Sequence, residues 1–273
     1  MTTEPLTFMA VHAHPDDEAS STGGVLARYA SEGIRTVLVT CTNGELGDGP
    51  NGVKPGEEGH TEAEVVAHRR AELDASCQVL NVSNLELLDY HDSGMMGWPQ
   101  NEAPEAFWNV PVEDAAKRLV ALIEQYRPQV IATYDERGFY GHPDHIQANR
   151  ITLAALEMTD IPRKLYYPII PKSAIETFRE TLEASGADVP EEASDMSEMG
   201  TDDALIGAVV DCTAFAETKF KALEAHGSQT DNSFFLDLGL ETFKRIFSVE
   251  IFLRKQDKTG AVGIEDDLFG GLR

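Results

Sequence analysis

The sequence contains little cysteine: Cys41, Cys77 and Cys212 are the only three in 273 residues. Their odd number, their wide spacing and the lack of a C-x-x-C pair exclude a disulfide framework and a cysteine zinc site. The sequence also lacks a basic and apolar leader, and no apolar run approaches the roughly 20 residues of a bilayer-spanning helix. We therefore expect a protein of the reducing cytoplasm with no membrane insertion.

Basic residues are also scarce. The chain has 22 Lys and Arg against 47 Asp and Glu, which gives a formal charge of −25 at pH 7. A surface with this charge repels nucleic acid and anionic membranes, so polyanions are poor candidates for partners. The acidity is strongest from 176 to 203, where the composition predicts a solvated helix followed by a mobile loop. A homo-oligomer is left open.

The glycine-rich turn of a dinucleotide-binding fold is missing, although the hydrophobic pattern begins like one. Strand-like runs alternate with amphipathic segments, which predicts an α/β fold: a Rossmann-like, mainly parallel sheet with helices on both faces. The strand-like runs are Thr7–His12, Thr36–Thr42, Leu85–Leu88, Gln129–Tyr134, Leu165–Ile170, Leu205–Val210 and Ser248–Leu253, and the helical segments are Ala19–Glu32, Thr61–Leu80 and Val112–Tyr126. The turn after the first run carries carboxylates that would repel a pyrophosphate, which argues against a nucleotide cofactor. We expect one domain over 1–273, with a core of 5–170 and an elaborated C-terminal part of 171–273.

Two His/Asp clusters stand at the ends of predicted strands. The sequence HPDDE occupies 14–18, after the first strand, and HPDH occupies 142–145, after the strand-like run 129–134. In an open α/β sheet, ligands bind in the crevice beyond the carboxyl ends of the strands. The two clusters therefore predict a mononuclear metal hydrolase.

The expected metal ligands are His14, Asp17 and His145. His14 and Asp17 are three residues apart at a strand-to-helix turn, so both can face one point, and His145 completes the set from the other loop. Two imidazoles and one carboxylate suit Zn²⁺ with one open position, and the same set accepts Fe²⁺. Such a site lowers the pKa of bound water from about 15.7 toward roughly 7, which supplies hydroxide as the nucleophile. Asp16, beside a ligand but pointing elsewhere, is then free to act as the general base.

His142 and Asp144 are assigned to the other side of the cleft. With His145 on the metal, His142 can act as an imidazolium that stabilises a tetrahedral oxyanion or protonates a leaving amine. Asp144 is expected to orient His142 and to raise its pKa. The simpler interpretation is that the histidine only marks a helix start, where histidine is a common residue.

Together the two clusters resemble the motifs of the PIG-L/LmbE-like family of zinc-dependent de-N-acetylases. Further segments extend the resemblance towards the branch that contains the mycothiol-pathway deacetylase and the mycothiol S-conjugate amidase. These segments are TNGE at 42–45, HRRAEL at 68–73, DSGM at 92–95, TYD at 133–135, AHGSQ at 225–229 and EDDLF at 265–269. The resemblance implies hydrolysis of an amide on a glucosamine-type small molecule, with His14, Asp17 and His145 as zinc ligands and Asp16 as base.

The resemblance also implies residues that contact the substrate. Arg69 and Asp92 would hold sugar hydroxyls, and Glu45 would line the same pocket. Tyr140 would correspond to a mobile tyrosine that approaches the oxyanion, and His226 would line the pocket as well. Simpler interpretations pair Arg69 with a carboxylate of its own helix and pack Tyr140 as a loop aromatic.

The favoured hypothesis is a hydrolase that removes the N-acetyl group from an N-acetylglucosaminyl small molecule. One alternative is an amidase that acts on a mycothiol-type thiol S-conjugate. Ser21 weakens it, because that amidase has a lysine shortly after its HPDDE motif. A second alternative is a non-catalytic sugar-binding or metal-binding protein, and Asp16 argues against it, because a binding protein has no need of a base beside the metal.

Overall fold

The computed structural model describes residues 5–185 and 200–273. At its centre, seven strands form one sheet. The strands are β1 (Thr7–His12), β2 (Arg35–Thr42), β3 (Asn84–Tyr90), β4 (Val130–Ala132), β5 (Lys164–Pro168), β6 (Ile206–Asp211) and β7 (Val249–Asp257). Their order in the sheet is β3-β2-β1-β4-β5-β7-β6. Strands β1 to β5 are parallel, whereas β7 runs antiparallel to both β5 and β6. The predicted α/β class and all seven predicted strands are confirmed.

Helices cover both faces of the sheet. They are α1 (Asp17–Ser21), α2 (Gly23–Ser31), α3 (Glu62–Leu80), α4 (Val112–Tyr126), α5 (Gly138–Gly141), α6 (Pro143–Met158), α7 (Lys172–Ser185), α8 (Ala216–Glu224), α9 (Ser233–Asp237) and α10 (Leu240–Phe247). Short 3-10 turns lie at Pro50–Gly52, Pro99–Glu102, Phe107–Asn109, Asp203–Leu205, Thr213–Phe215 and Thr230–Asn232. Within the described ranges, no helix combines the length and the hydropathy needed to cross a membrane.

Strand β1 divides the hydrophobic core into two layers. Phe8 and Ala10 pack in the layer formed with α2, α3 and α8, whereas Met9 and Val11 pack in the layer formed with α4 and α6. Successive strand side chains point to opposite faces of a sheet, so a strand covered on both faces must be apolar throughout. This requirement explains why β1 reads as a continuous apolar run rather than as an alternating one.

The predicted helix over Ala19–Glu32 is two helices, and a distant carboxylate explains the break. Thr22 leaves the helical conformation, with φ −136° and ψ 11°, and α2 starts afresh after it. The carboxylate of Glu250 on β7 accepts the free amides of Gly24 at 2.7 Å and of Val25 at 2.9 Å. A side chain on Gly24 would meet Cys212 at 2.7 Å, so only glycine fits at this contact.

The C-terminal part contributes α7 to α10 and the strands β6 and β7 to the same sheet. The predicted acidic helix overlaps α7, and the predicted loop after it falls largely on 186–199, outside the described residues. The division into a core and a C-terminal part stays a prediction.

The order of the strands locates the functional crevice. Strand β1 lies between β2 and β4. The chain adds β2 and β3 on one side of β1 and then crosses back to add β4 and β5 on the other side. Ligands bind at such a switch point, beyond the carboxyl ends of the strands. The loops that follow β1, β2, β3 and β4 all begin at this edge and carry both His/Asp clusters.

Candidate active site with a metal centre

The three predicted metal ligands meet beyond the carboxyl ends of β1 and β4. His14 follows β1, Asp17 begins α1, and His145 lies in the first turn of α6. One carboxylate oxygen of Asp17 lies 3.4 Å from Nδ1 of His14, and the other lies 3.5 Å from Nε2 of His145. The first of these oxygens also accepts the backbone amide of His14 at 2.7 Å. Asp17 thus joins the two imidazoles.

More ligand-type side chains surround His14 than the sequence indicates. His14, His142 and His145 each offer one ligand atom within 4.8 Å of the others. His14 and His142 also form such a group with Asp92 and Asp144, and all four are buried. The assignment of His14, Asp17 and His145 as the metal ligands therefore stays a prediction among close neighbours.

Two observations indicate that a divalent cation fits this centre. Within the described part of the chain, neither ring nitrogen of the buried His145 has a hydrogen-bond partner. Leaving a buried polar group unsatisfied is costly, and a metal bond to one nitrogen removes that cost. The carboxylates of Asp17, Asp92 and Asp144 also crowd around His14, and a cation would neutralise their charge.

The charges at the centre shift each other's pKa. Burial opposes the charged form of His14, but Asp92, Asp144 and Asp17 outweigh it and raise the pKa of His14 well above its usual value. Burial likewise opposes ionisation of Asp17, yet His145 and His14 hold its pKa well below the usual range. Burial, together with the positive charge of His14, lowers the pKa of His145 to about 4. A low pKa keeps the imidazole of His145 neutral, which is the form that binds metals.

His142 is held neutral, so its predicted imidazolium form is wrong. Burial is the main cause, and repulsion from His14 and His145 adds to it, which lowers the pKa of His142 to about 2. Nδ1 of His142 accepts the backbone amide of Asp144 at 3.2 Å and thereby caps the N-terminus of α6. Because Nδ1 accepts, the ring proton lies on Nε2.

Asp144 does not orient His142 through its carboxylate as predicted. Its carboxylate accepts the backbone amide of Ser93 at 2.9 Å and the hydroxyl of Ser93. One oxygen also lies 3.2 Å from Nε2 of His14. Only the backbone amide of Asp144 reaches His142, so the predicted rise in the pKa of His142 does not occur. The side chain of Asp144 instead links the loop after β3 to His14.

Asp16 has a strained backbone and a pKa suited to proton transfer. Its φ is 123°, a conformation that residues with a side chain rarely adopt and that clusters at functional sites. Burial raises the pKa of Asp16 to about 6, with Arg69 opposing the rise and Asp17 adding to it. A carboxylate with a pKa near the working pH is an efficient general base.

Arg69 is buried against the loop that carries Asp16. Its guanidinium donates to the carbonyls of Pro15 at 2.5 Å and Gly44 at 3.0 Å, and it lies 3.3 Å from an Asp16 oxygen. A side chain at Gly44 would collide with it. The simpler pairing of Arg69 with a carboxylate of its own helix is wrong, because its carboxylate partner is Asp16. Contact of Arg69 with a sugar stays a prediction.

Asp92 lies beside His14, and Glu45 lies behind Asp92. Asp92 lies 3.7 Å from Nε2 of His14 and accepts the amide of Gly94 at 2.8 Å. Glu45 lies behind it and accepts the backbone amide of Asp92 at 2.9 Å. Asp92 is therefore the nearer of the two to a ligand at the centre, and Glu45 supports the backbone of Asp92.

Tyr140 stands beside the histidines with an exposed ring. Its ring centroid lies 5.0 Å from that of His145 and 6.1 Å from that of His142, and the residue is 47% exposed. The flanking Phe139 and Gly141 both have positive φ, at 65° and 92°. The phenol thus borders the centre from the short, distorted helix α5; its motion stays a prediction.

The predicted position of His226 in the pocket wall is wrong. The residue is fully buried, and its Nε2 lies 2.7 Å from Oε1 of Glu18. Its full burial keeps His226 from contact with a ligand at the centre. His226 therefore lies in the layer behind the loop after β1 that carries Asp16, which we call the catalytic loop.

Tyr134 is a neighbour of the metal centre that was not predicted from the sequence. Its ring stacks on that of His145 at 4.0 Å, and its hydroxyl accepts the amide of Ala13 at 2.9 Å. Tyr134 thus connects the loop after β1 to a candidate metal ligand. Its place at the end of a predicted strand was the available signal, but nothing in the sequence indicates its partners.

Comparisons with known proteins agree with this geometry. A family model described as PIG-L, GlcNAc-PI de-N-acetylase, matches residues 9–156. A 1D-myo-inositol 2-acetamido-2-deoxy-alpha-D-glucopyranoside deacetylase from Acidothermus cellulolyticus is 41% identical over 281 residues, which cover 97% of this chain and 95% of that protein. A deacetylase of the same name from Salinispora arenicola is 39% identical over 286 residues, covering 97% and 91%.

A solved structure of similar fold is the N,N'-diacetylchitobiose deacetylase from Pyrococcus horikoshii, with a TM-score of 0.60, 20% identity and coverage of 93% of this chain and 85% of that one. Another is GalB, a 4-carboxy-2-hydroxymuconate hydratase from Pseudomonas putida, with a TM-score of 0.62, 18% identity and coverage of 94% and 99%. Because a hydratase and a deacetylase share this fold, the fold alone does not decide the reaction.

Proposed function

Since this chain belongs to the PIG-L family, we propose that it hydrolyses the acetamide of an N-acetylglucosaminyl small molecule and releases acetate and the free amine. We take the substrate class from the relatives, whose name specifies a 2-acetamido-2-deoxyglucopyranoside of myo-inositol. The observation that carries the proposal is the placement of Asp16, a strained carboxylate with a pKa of about 6, beside a buried cluster of histidines and carboxylates.

The proposed metal is Zn²⁺, held by His14, Asp17 and His145; the same donors also accept Fe²⁺. When bound, such a cation supplies Lewis acidity toward the acetamide carbonyl and toward water. The unpartnered nitrogens of His145 support this assignment.

Asp16 is the proposed proton carrier. It takes a proton from the attacking water as the water oxygen bonds to the acetamide carbon. It then delivers that proton to the amine nitrogen as the C–N bond breaks. A pKa of about 6 suits both directions of transfer, whereas His142, with a pKa of about 2, is unprotonated near neutrality and has no extra proton to give to the amine.

His142 is the proposed hydrogen-bond donor to the oxyanion. Its Nδ1 accepts the amide of Asp144, which leaves the ring proton on Nε2. A neutral donor held in a buried site stabilises developing negative charge without a proton transfer. The hydroxyl of Tyr140 offers a second donor at the open side.

Asp92 and Arg69 are the proposed contacts for sugar hydroxyls, with Asp92 nearer to the metal centre. We also propose a reducing cytoplasm as the compartment, since Cys41, Cys77 and Cys212 are free and buried.

Acetate release from a panel of N-acetylglucosaminides tests the proposal. The panel includes the myo-inositol glycoside and a thiol S-conjugate, and the protein carries one equivalent of Zn²⁺. The metal-free protein and Asp16→Asn serve as controls. Acetate release that requires both the metal and Asp16 supports the proposal. Cleavage of the S-conjugate without acetate would favour the amidase, and tight zinc binding without turnover would favour a binding protein; either outcome overturns the deacetylase.

A further inference from the structure

We propose that His226 is a positioning residue for Asp16, acting through Glu18 on the backbone of the catalytic loop. The inference rests on the proposed function, since it takes Asp16 to be the base. His226 lies far outside the 9–156 region that the family model matches.

A hydrogen bond joins the side chain of Glu18 to the backbone of Asp16. The backbone amide of Asp16 donates to Oε2 of Glu18 at 3.0 Å, and Glu18 is fully buried. Asp16 has a φ of 123°, and an unfavourable backbone conformation persists only where surrounding contacts hold it. The bond from Glu18 is such a contact, made directly to the strained residue.

Glu18 is in turn held by two buried side chains. Its other oxygen, Oε1, lies 2.7 Å from Nε2 of His226 and accepts the hydroxyl of Ser76 at 2.5 Å. A carboxylate only accepts hydrogen bonds, so His226 donates from Nε2. Because His226 is fully buried, water cannot replace this donor. The orientation of Glu18 therefore depends on His226 and Ser76.

His226 belongs to the segment 226–232, which follows α8 and packs against the active-site loops. Besides His226, four of its side chains contact the loops of the active site or helix α3, among them Thr230, whose hydroxyl donates to Asp48 at 2.6 Å. Ser228 donates to Glu72, Gln229 exchanges hydrogen bonds with Asp48, and Asn232 approaches Asp16 at 3.5 Å. These contacts place His226 in a segment that braces the catalytic loop from behind.

A residue in this position should affect turnover more than binding. His226 has no exposed surface, so it cannot touch the substrate. Its loss would leave the orientation of Glu18 to Ser76 alone and would let Asp16 relax from its strained conformation. Displacing a catalytic group by about 1 Å can cost roughly 100-fold in rate.

The test compares His226→Leu, which removes the donor, with His226→Gln, which keeps an N–H donor within reach of Glu18. For the zinc-loaded enzyme we measure kcat, KM, bound zinc and the amide resonance of Asp16 by ¹H–¹⁵N spectroscopy. We expect His226→Leu to lower kcat about 10- to 100-fold, to leave KM and zinc content near the wild-type values, and to shift the Asp16 resonance. His226→Gln should restore most of the kcat and the wild-type resonance.

Lys219→Met is the matched control. It breaks another buried ion pair of the same region, between Lys219 of α8 and Glu250 at 2.7 Å. Among the described residues, no hydrogen bond or ion pair joins the side chain of Lys219 to Asp16 or Glu18. It should lower the thermal midpoint but keep the wild-type kcat and Asp16 resonance. If His226→Leu does not fold, Ser76→Ala replaces it, with a smaller fall in kcat and a shift of the same resonance.

The inference is overturned if His226→Leu, or Ser76→Ala in its place, keeps the wild-type kcat and Asp16 resonance. Loss of zinc, or an equal loss of kcat in Lys219→Met, would also overturn it, because either result indicates a general structural role. A wild-type enzyme that releases no acetate would refute the proposed function separately. In that case the Asp16 resonance alone decides on the contact, since it does not depend on turnover.

Discussion

Asp16 and His142 face one centre, but their surroundings move their pKa values in opposite directions. Burial raises the pKa of Asp16 to about 6 and lowers that of His142 to about 2. The carboxylate therefore changes protonation near neutrality, whereas the imidazole stays neutral. Groups whose environments separate their pKa values in this way divide the roles of proton carrier and hydrogen-bond donor.

This division predicts how the rate depends on pH. A base must be deprotonated, so kcat/KM should rise with pH through about 6 as Asp16 loses its proton. His142 should add no limb on the basic side. Because Arg69 lowers the pKa of Asp16, Arg69→Gln should move the acid limb to higher pH, whereas Arg69→Lys should leave it near the wild-type position. An unmoved limb in Arg69→Gln would rule out Asp16 as the group that titrates.

His142 offers a way to separate catalysis from stability. His142→Ala removes both the Nε2 donor and the helix cap, so it should lower kcat by roughly 10²–10³ and cost about 1 kcal/mol of folding free energy. His142→Asn replaces the cap with another good capping residue, so it should lose the rate but keep the stability. Steady-state kinetics and thermal unfolding check the pair. Loss of zinc in either variant would make His142 a metal ligand instead.

At the scale of elements, the start of α2 depends on a strand more than 200 residues away. Glu250 of β7 accepts the amides of Gly24 and Val25 and forms a buried ion pair with Lys219 of α8. One carboxylate thus satisfies the free N-terminal amides of one helix and the charge of another. This contact fixes the two helices on one face of the sheet.

Removing that carboxylate should be costly. Glu250→Ala leaves Lys219 buried without a charge partner and leaves two amides uncapped, so we expect a loss of about 3–5 kcal/mol in the free energy of unfolding. Denaturant unfolding measures it. Glu217→Ala, which breaks surface pairs with Lys221 on α8 and Lys244 on α10, is the control and should leave the midpoint nearly unchanged. A small effect of Glu250→Ala would mean that water reaches Lys219.

At the scale of the whole molecule, the net charge of −25 acts on stability rather than on the reaction. Like charges over the surface repel one another and oppose the compact state. A neutral glycoside has no charge for this field to attract or repel.

Salt should therefore stabilise the protein without changing substrate binding. Between about 10 mM and about 300 mM NaCl the Debye length falls several-fold, so we expect the thermal midpoint to rise. The KM for the neutral glycoside should stay constant over the same range. Thermal scans and kinetics at matched ionic strength check both, with an uncharged osmolyte as control. A midpoint that falls with salt would show that specific ion pairs outweigh the repulsion.

Features that depend on local spacing could be predicted from the sequence. Apolar runs and amphipathic periods predicted the strands and the helix Val112–Tyr126, because side-chain direction repeats along a strand or a helix. The spacing of His14 and Asp17 predicted their convergence at one strand end, and the order of the strands brought His145 to the same crevice. These predictions hold because they rest on neighbours in the chain and on the general geometry of parallel sheets.

Features that depend on burial and on distant contacts emerge only when the chain is folded. His226 meets Glu18 across 208 residues, and that contact moves it from the predicted pocket wall to the layer behind Asp16. His142 is neutral because packing removes water from it and sets it beside two other imidazoles. Desolvation and Coulomb energy depend on the final positions of all nearby groups, so no local pattern of residues could reveal them.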